Sequence, residues 1–323
     1  MSVPQYLRQI SLKVGDANNA IDLSELRIRF VVRRGDLKTP NSADIRVYNP
    51  NEETIQRAQN EFTRVVLQAG YAGNYGTIFD GTIKQARRGR ESQTDTYLDI
   101  TAADGDSAYN FAVMNVTLAA GSTAQDHLEQ ALASMSSRGI TMGETAELSA
   151  SKLARGKVFY GMTRDFLDTL GKTQDVSWSI QDGKLTLIPN NAYLPGEAVV
   201  VTAETGMIGL PEQTQNGITV RTLLNPGIRV GKRLQIDNSS IQRFRYGLSI
   251  GNQPTNEMVK ATAYVANDGL YRSIVVDHFG DTRGNEWYTN VIALAVDAAL
   301  PPGLKDRPES PGVGAPGPVK PYG

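Results

Sequence analysis

The chain has 323 residues, of which 40% are hydrophobic and 21% charged, and its formal net charge is -1. This length predicts about two domains with cores of their own, and the balanced charge argues against a general nucleic-acid binder, which needs a strong basic excess. Because the chain contains no cysteine, disulfides, thiolate nucleophiles and thiolate metal sites are all excluded.

The sequence carries no signal for secretion or for membrane insertion. Its opening residues, MSVPQYLRQISLKVG, contain no apolar segment of the kind that a signal peptide needs. No stretch approaches the ~18 consecutive apolar residues of a membrane-spanning helix. We therefore expect a protein that is made in the cytosol and has no membrane span.

The first third of the chain has the alternating pattern of β-strands. Residues 26–32 set Leu, Ile and Phe between arginines, and residues 43–48 resume the alternation, which is typical of a sheet with one buried face. Asn51 is then the predicted N-cap of a short helix over residues 52–59. Further strands are predicted over residues 64–69 and 77–83.

A helix is the clearest element in the middle of the chain. Residues 122–137 carry apolar side chains on one helical face, and Ser122 with Gln125 has the spacing of a capping box. Gly139 is the predicted stop of this helix.

A second helix and a hairpin follow the first helix. The helix is predicted over residues 163–170, with Gly171 as its C-terminal stop. Two strands, at residues 176–180 and 184–188, are then predicted on either side of an Asp-Gly turn. These elements predict a small α+β insertion between two β regions.

Two stretches that are far apart in the chain have the same plan. Residues 77–101 and 271–297 each contain two β-rich runs around a turn dense in Arg, Gly and Asp. An aromatic residue opens the second run in both stretches, Tyr97 in the first and Trp287-Tyr288 in the second. Two related β-units in one chain favour a structural protein that assembles into a ring over an enzyme.

The turn with Asp277, His278 and Asp281 holds side chains that are used in acid–base catalysis and in metal binding. It lacks ligand spacing such as H-E-x-x-H, and the other histidine, His127, lies on a distant helix. A structural role is therefore favoured, with His278 hydrogen-bonded across the turn to Asp281 or Thr282. No catalytic residue, cofactor or metal site is predicted.

Two features of the sequence are candidates for contacts with partners. Arg87, Arg88 and Arg90 are interpreted as a solvated loop, or as a contact to an acidic neighbour or a channel lining. The Pro/Gly-rich tail at residues 299–323 has too few apolar side chains to fold alone, so that it is either a floppy terminus or an extended peptide docked on a partner. Its candidate contact residues are Pro301, Pro302, Pro308, Pro311, Pro316, Pro318, Pro321 and Tyr322.

Three motifs occur in order along the chain. Residues 26–49 end in IRVYNP, residues 216–237 carry LLNP followed by a GxxxxI strand, and residues 276–289 contain H-x-GDT-x-G-x-x-WYT. These motifs resemble segments of the baseplate hub proteins of contractile-tailed bacteriophages. The resemblance covers residues 26–297 and leaves the Pro/Gly-rich tail outside.

The resemblance implies a homotrimeric hub in which each subunit supplies two tube-like β-barrel domains, so that six barrels form a pseudo-sixfold ring. Such a ring adapts a sixfold tail tube to a threefold central spike and leaves an axial channel for DNA ejection, through which phage DNA passes without specific binding. The implied partners are the tail tube protein, the central spike protein and other baseplate proteins, with a tape-measure protein as a further candidate. The implied location is the tail baseplate of the virion, which is assembled in the host cytoplasm.

Pattern and resemblance together predict a mainly β protein with an α+β insertion. The expected divisions are a first tube-type β-barrel domain at residues 1–104, an α+β insertion at residues 105–203, a second tube-type barrel at residues 204–298 and the extended tail at residues 299–323.

Two alternatives from other functional classes stay open at this point. One is a tail-associated cell-wall hydrolase or peptidase that uses Asp277, His278 and Asp281, and the other is a stand-alone receptor- or glycan-binding module. A related contractile injection particle, such as a secretion system or a pyocin-like machine, fits the same architecture as a phage.

Overall fold

The computed structural model describes residues 6–16, 19–36, 38–214, 217–241, 266 and 268–296. Within these ranges the chain forms eighteen β-strands and four α-helices, so that the fold is mainly β, as the sequence predicts. The strands are β1 (Arg8–Gly15), β2 (Ala20–Asp22), β3 (Ile28–Gly35), β4 (Ser42–Tyr48), β5 (Arg64–Tyr71), β6 (Asn74–Arg90), β7 (Thr96–Ala103), β8 (Val113–Leu118), β9 (Thr141–Thr145), β10 (Lys157–Met162), β11 (Val176–Gln181), β12 (Lys184–Pro189), β13 (Val199–Val201), β14 (Glu212–Thr214), β15 (Gly217–Leu223), β16 (Arg233–Ile236), β17 (Leu270–Asp281) and β18 (Trp287–Ala295). The helices are α1 (Glu52–Asn60), α2 (Asp106–Phe111), α3 (Ala124–Ser136) and α4 (Thr163–Gln174).

Thirteen of the strands belong to one continuous sheet. Its main path runs β14-β15-β18-β17-β3-β4-β7-β6-β5-β1-β2, and β16 pairs beside β17 with β13 next to it. Within this path, an early strand pairs with a late one. Strand β17 lies antiparallel to β3, with Val276 opposite Arg34 and Gly280 opposite Phe30. The two β regions are therefore connected by backbone hydrogen bonds within a single sheet.

The buried apolar side chains form three main clusters that follow the order of the chain. The first is built from residues 12–102 together with Leu224 and Trp287. The second belongs to residues 108–187 and the third to residues 188–295. The domain limits at residues 104, 203 and 298 stay predictions.

The two stretches with a common plan both form hairpins. Residues 91–95 join β6 to β7, and residues 282–286 join β17 to β18. The prediction of a turn at Arg87, Arg88 and Arg90 is wrong, because the backbone of residues 82–90 pairs with β7 and keeps β6 extended to Arg90.

Strand β6 is long because it pairs with two different strands along its length. It has seventeen residues and pairs with β5 through its first part and with β7 through its second part. The register of the second pairing shifts between Ile83 and Gln85. Irregularities of this kind bend a strand and increase its twist.

Helices α1 and α3 begin at polar side-chain caps. Asn51 caps α1 as predicted, because its side chain accepts a hydrogen bond from the backbone of the first turn. The predicted capping box of Ser122 and Gln125 is wrong by one residue. The box is formed by Thr123 and Asp126, each of which bonds to the backbone N–H of the other.

The predicted stop of α4 at Gly171 is also wrong. The helix continues to Gln174 and ends where Asp175 adopts a left-handed conformation with a φ of 52°. A Cβ atom on Gly171 would lie 2.7 Å from the carbonyl oxygen of Val176. The glycine therefore allows the helix and β11 to approach closely.

The insertion contains two small sheets that pack on α3 and α4. One is the antiparallel pair β8-β10, and the other has the order β11-β12-β9. The predicted hairpin is confirmed, because Asp182 and Gly183 connect β11 to β12 with φ angles of 54° and 71°, as a type I′ turn requires. Among the helices described above, none combines the length and the apolar character needed to cross a membrane.

Candidate functional site

The turn between β17 and β18 is closed by Asp281. Its Oδ1 atom accepts hydrogen bonds from the backbone N–H groups of Arg283 and Gly284, at 2.9 and 3.0 Å, and Arg27 donates to its Oδ2 atom at 2.8 Å. Burial by itself would raise the pKa of Asp281, but the bond from Arg27 and the backbone donors outweigh burial and lower the pKa. Asp281 is thus an ionised carboxylate that holds the shape of the turn.

His278 is held inside the sheet and lies away from solvent. It is 1% exposed, and its Nδ1 atom shares a hydrogen bond of 2.9 Å with Thr289 Oγ1 on the opposite strand. The predicted bond to Asp281 or Thr282 is wrong, because Thr289 is the residue directly opposite His278 in the register of the hairpin. Burial, together with the charges of Arg34 and Arg229, lowers the pKa of His278 to about 3, so that the ring is neutral near pH 7.

Asp277 is a second buried group, but it points away from His278. Successive side chains on a strand project to opposite faces of the sheet, so that Asp277 and His278 do not converge on a common point. Burial raises the pKa of Asp277 to about 7. Among the described residues no group of three His, Cys, Asp or Glu side chains is placed to hold a metal ion. The arrangement supports a structural hairpin.

We expect the ionisation of Asp277 to make the folded state less stable as pH rises. The ordinary pKa of an aspartate is 3.8 and that of folded Asp277 is about 7, so that folding favours the protonated form and stability is lost between about pH 4 and pH 7. Asp277→Asn should therefore raise the free energy of unfolding at pH 8 by about 2–4 kcal/mol. Urea unfolding at pH 4, 6 and 8 measures the difference between the two proteins.

The comparison between variant and wild type isolates this carboxyl group. His278 has a lowered pKa and loses stability as pH falls below about 6.5, but it does so in both proteins. Asp44→Asn on β4 is the matched control, since this carboxylate is exposed and pairs with Arg33 at 2.7 Å, so that its loss should cost less than ~1 kcal/mol at every pH. An Asp277→Asn variant that is less stable than the wild type at pH 8 would contradict the prediction.

Arg87, Arg88 and Arg90 lie on the exposed end of β6. Arg88 donates to Glu52 on α1 at 2.7 Å. Arg87 stands opposite Asp99 on β7, but that carboxylate is engaged by Arg46, which binds both of its oxygen atoms. Within the described part of the chain, Arg87 and Arg90 make no ion pair, so that two outward positive charges are available to a neighbour.

A buried polar junction connects the insertion to the first β region. Arg34 on β3 is 4% exposed, and its guanidinium donates to Asp182 Oδ2 at 2.8 Å and to the carbonyl of Ile78 at 3.1 Å. Asp104, next to the end of β7, accepts from the backbone N–H groups of Asp182 and Gly183 at 2.5 and 2.8 Å. Burial raises the pKa of Asp104 to about 6 although these hydrogen bonds act in the opposite direction.

A second buried ion pair extends the junction to β17. Arg272 lies 3.7 Å from Asp36, and both side chains are nearly inaccessible to solvent. Ser177 on β11 donates to Asp36 at 2.7 Å, and Arg272 also donates to the carbonyl of Pro189. Burial raises the pKa of Asp36, while Arg272 and Ser177 offset part of this effect. The contacts of Asp36 with Arg272 and Ser177 therefore bring the first β region, the insertion and the second β region together.

The junction was not predicted from the sequence, because the residues that form it are far apart in the chain. Arg34 and Asp182 are 148 positions apart, and an arginine within an alternating strand is normally assigned to the solvent face. The signal that could have indicated the junction was the charged tripeptide Arg34-Gly35-Asp36, which follows the predicted strand at residues 26–32. The candidate contacts in the Pro/Gly-rich tail, Pro301 to Tyr322, lie outside the described residues.

Comparison with known proteins gives a match to one family. A family model described as baseplate hub gp41 matches residues 10–242. No curated protein matches the chain by sequence.

Several solved structures share the fold. The tail protein of Neisseria meningitidis MC58 superposes with a TM-score of 0.56 at 11% identity, over 89% of this chain and 96% of that protein. The 43 kDa tail protein of prophage MuSo2 from Shewanella oneidensis has a TM-score of 0.50 at 8% identity, over 90% and 98% of the two chains. The E. coli c3393 protein, described as a type VI secretion component with structural similarity to T4 bacteriophage tail proteins gp27 and gp5, has a TM-score of 0.53 at 12% identity, over 88% and 76%.

Proposed function

Because this chain belongs to the baseplate hub gp41 family, we propose that three copies of it form a hub which adapts a sixfold tail tube to a threefold central spike. The family and the tail-protein fold indicate a structural role in a tail baseplate and not an enzymatic one. In this proposal the three subunits form a pseudo-sixfold ring around an axial channel.

The observation that carries the proposal is the doubled β architecture. Two apolar clusters made largely of strand residues precede and follow the insertion in the sequence. Each β region also contains a hairpin with a five-residue turn, at residues 91–95 and 282–286. Three subunits match a sixfold tube only if each of them presents a similar shape twice. A closed ring of this kind also needs two different contact surfaces on every subunit.

The proposed partners follow from this place in the particle. The hub contacts the tail tube protein on one side and the central spike protein on the other, with further baseplate proteins around it, and DNA passes along its axis without specific binding. Arg87 and Arg90 are proposed to contact an acidic neighbour or to line the channel. The Pro/Gly-rich tail is proposed to dock on the spike or on another hub subunit.

We expect the purified full-length chain to assemble into trimers. Obligate interfaces bury more than ~2,000 Å² and persist on dilution, so that native mass spectrometry should detect three copies, with the spike protein added where the isolated chain is monomeric. A chain that stays monomeric in both conditions would contradict the hub and favour a stand-alone binding module.

A further inference from the structure

Two arginines lie side by side in a largely buried part of the main sheet. Arg233 on β16 and Arg272 on β17 are directly opposite each other in the antiparallel register. Opposite residues on paired strands project to the same face of the sheet, and their Cβ atoms are about 4.5–5.5 Å apart. Arg272 is 3% exposed and Arg233 is half-buried. Like charges in this arrangement destabilise a sheet, so that neighbouring groups have to compensate them.

Only one of the two positive charges has a carboxylate partner. The Nη2 atom of Arg272 lies 3.7 Å from Asp36, a carboxylate that also accepts a hydrogen bond from Ser177. Within the ranges that the structure describes, Arg233 forms no ion pair. A guanidinium that is taken out of water without a counter-charge carries a large desolvation penalty. The pair of arginines therefore has one positive charge in excess.

The other carboxylates of this region do not supply the missing counter-charge. Glu144 on β9 is bound by Lys232, with 2.7 Å between the two charged atoms. Asp182 has Arg34 as its closer partner, at 2.8 Å. The side chain of Glu197 is exposed and, over the described part of the chain, pairs with no cation. The excess charge of the arginine pair is thus not neutralised by the protein itself.

The hydrogen-bond donors of the two arginines lead to the same conclusion. Each guanidinium gives one terminal nitrogen to a backbone carbonyl, Arg233 to that of Gly196 and Arg272 to that of Pro189. The Nε atom of each arginine is inaccessible to solvent and has no acceptor among the atoms of the described chain. The one other buried side-chain atom without a partner in those ranges is Asp277 Oδ1. Because buried donors are almost always satisfied, two of them on facing residues indicate an acceptor that is not part of the chain.

An anion would meet both requirements at once. A water molecule accepts hydrogen bonds but brings no charge, whereas an anion accepts stronger bonds from guanidinium groups and neutralises the excess charge. We propose that a small anion binds between Arg233 and Arg272 and accepts hydrogen bonds from both Nε atoms. Chloride and inorganic phosphate share this chemistry and differ in size. The site is formed within a single subunit, so that this inference does not depend on the proposed trimeric hub.

The first test measures the stability of the purified full-length chain at constant pH and ionic strength. Sodium chloride or sodium phosphate replaces sodium gluconate, whose anion is much larger. About 100 mM of the anion that fits should lower the equilibrium constant for unfolding in urea at least about fivefold, as a dissociation constant of about 25 mM or less requires. A response to chloride, to phosphate or to both supports the site and identifies its ligand. If neither anion changes the stability, water is sufficient and the inference is overturned.

Two variants show whether the response comes from this pair of arginines. Arg233→Met should abolish the response to the anion, because it removes the excess charge and one of the two Nε donors. Arg221→Met is the matched control on β15, since the Nε atom of Arg221 donates to Asn290 at 2.8 Å, and it should keep the full response. Equal responses of the wild type and Arg233→Met would reveal an adventitious ion only and would overturn the inference.

A direct measurement on the wild type completes the test and needs no variant that has to fold. Crystals of the full chain grown in bromide, an anomalous scatterer that replaces chloride, should show an anomalous peak in contact with the Nε atoms of Arg233 and Arg272. Crystals grown in phosphate are the second arm and should show tetrahedral density there if phosphate is the ligand. Density for neither anion at this place would overturn the inference and would leave the proposed hub unaffected.

Discussion

Replacing Trp287 by alanine is expected to lower the free energy of unfolding by about 3–5 kcal/mol, because it deletes a large side chain from the centre of a packed cluster. Trp287 is 2% exposed and meets Phe30 edge to face, with 5.5 Å between the ring centres. Its Nε1 atom donates to the carbonyl of Gly70 at 3.3 Å, and the guanidinium of Arg8 lies over the ring. The substitution thus loses apolar burial, an aromatic contact and a hydrogen bond together.

Urea unfolding followed by circular dichroism measures this effect without relying on the deleted fluorophore. Tyr288→Ala is the matched control on the same strand, since Tyr288 points to the other face, is half-buried and contacts Phe279 and Arg221. It should cost less than about 2 kcal/mol. Similar losses for Trp287→Ala and Tyr288→Ala would show that Trp287 does not anchor the first cluster.

Replacing Arg34 by methionine is expected to cost about 2–4 kcal/mol, because it removes the closer partner of Asp182 and leaves that carboxylate only the longer pairing with Arg229, at 3.8 Å. The same change removes the hydrogen bond to Ile78. Since the lost contacts connect β3 to the hairpin of the insertion, the insertion should also become more sensitive to limited proteolysis than the rest of the chain.

The neighbouring arginine offers a control for this experiment. Arg33→Met removes a guanidinium from the same strand, but its partner Asp44 is exposed, so that the expected cost is below ~1 kcal/mol. The double variant Arg34→Met, Asp182→Asn should be more stable than Arg34→Met alone, because the carboxylate that lost its closer partner is gone. If the second substitution adds its full cost instead, the two side chains are not coupled.

Two of the local patterns in the sequence predicted local structure correctly. The Asp182-Gly183 turn and the Asn51 cap are confirmed because each depends on the conformation of a few adjacent residues. Strand β1 was not predicted although Ile10, Leu12 and Val14 alternate with polar residues, which is the signal that identifies a half-buried strand.

Non-local contacts were beyond the reach of these patterns. The strand that contains Arg87 and Arg90 has no apolar alternation at its end and stays extended because β7 pairs with it. Gly171 was interpreted as a helix stop, whereas its lack of a side chain allows α4 to approach strand β11 closely. The neutral state of His278 likewise depends on burial that only the assembled sheet provides.

The pairing of β3 with β17 has a consequence for synthesis on the ribosome. Arg27 reaches Asp281 across 254 positions, and the tryptophan that fills the first cluster follows only six residues later in the chain. The N-terminal sheet region therefore emerges from the ribosome long before β17 and Trp287 are translated. Until then, strand β3 has an unpaired edge and the first apolar cluster is incomplete. A nascent chain that is released early lacks these neighbours and therefore exposes the edge of β3 and the apolar side chains of the first cluster.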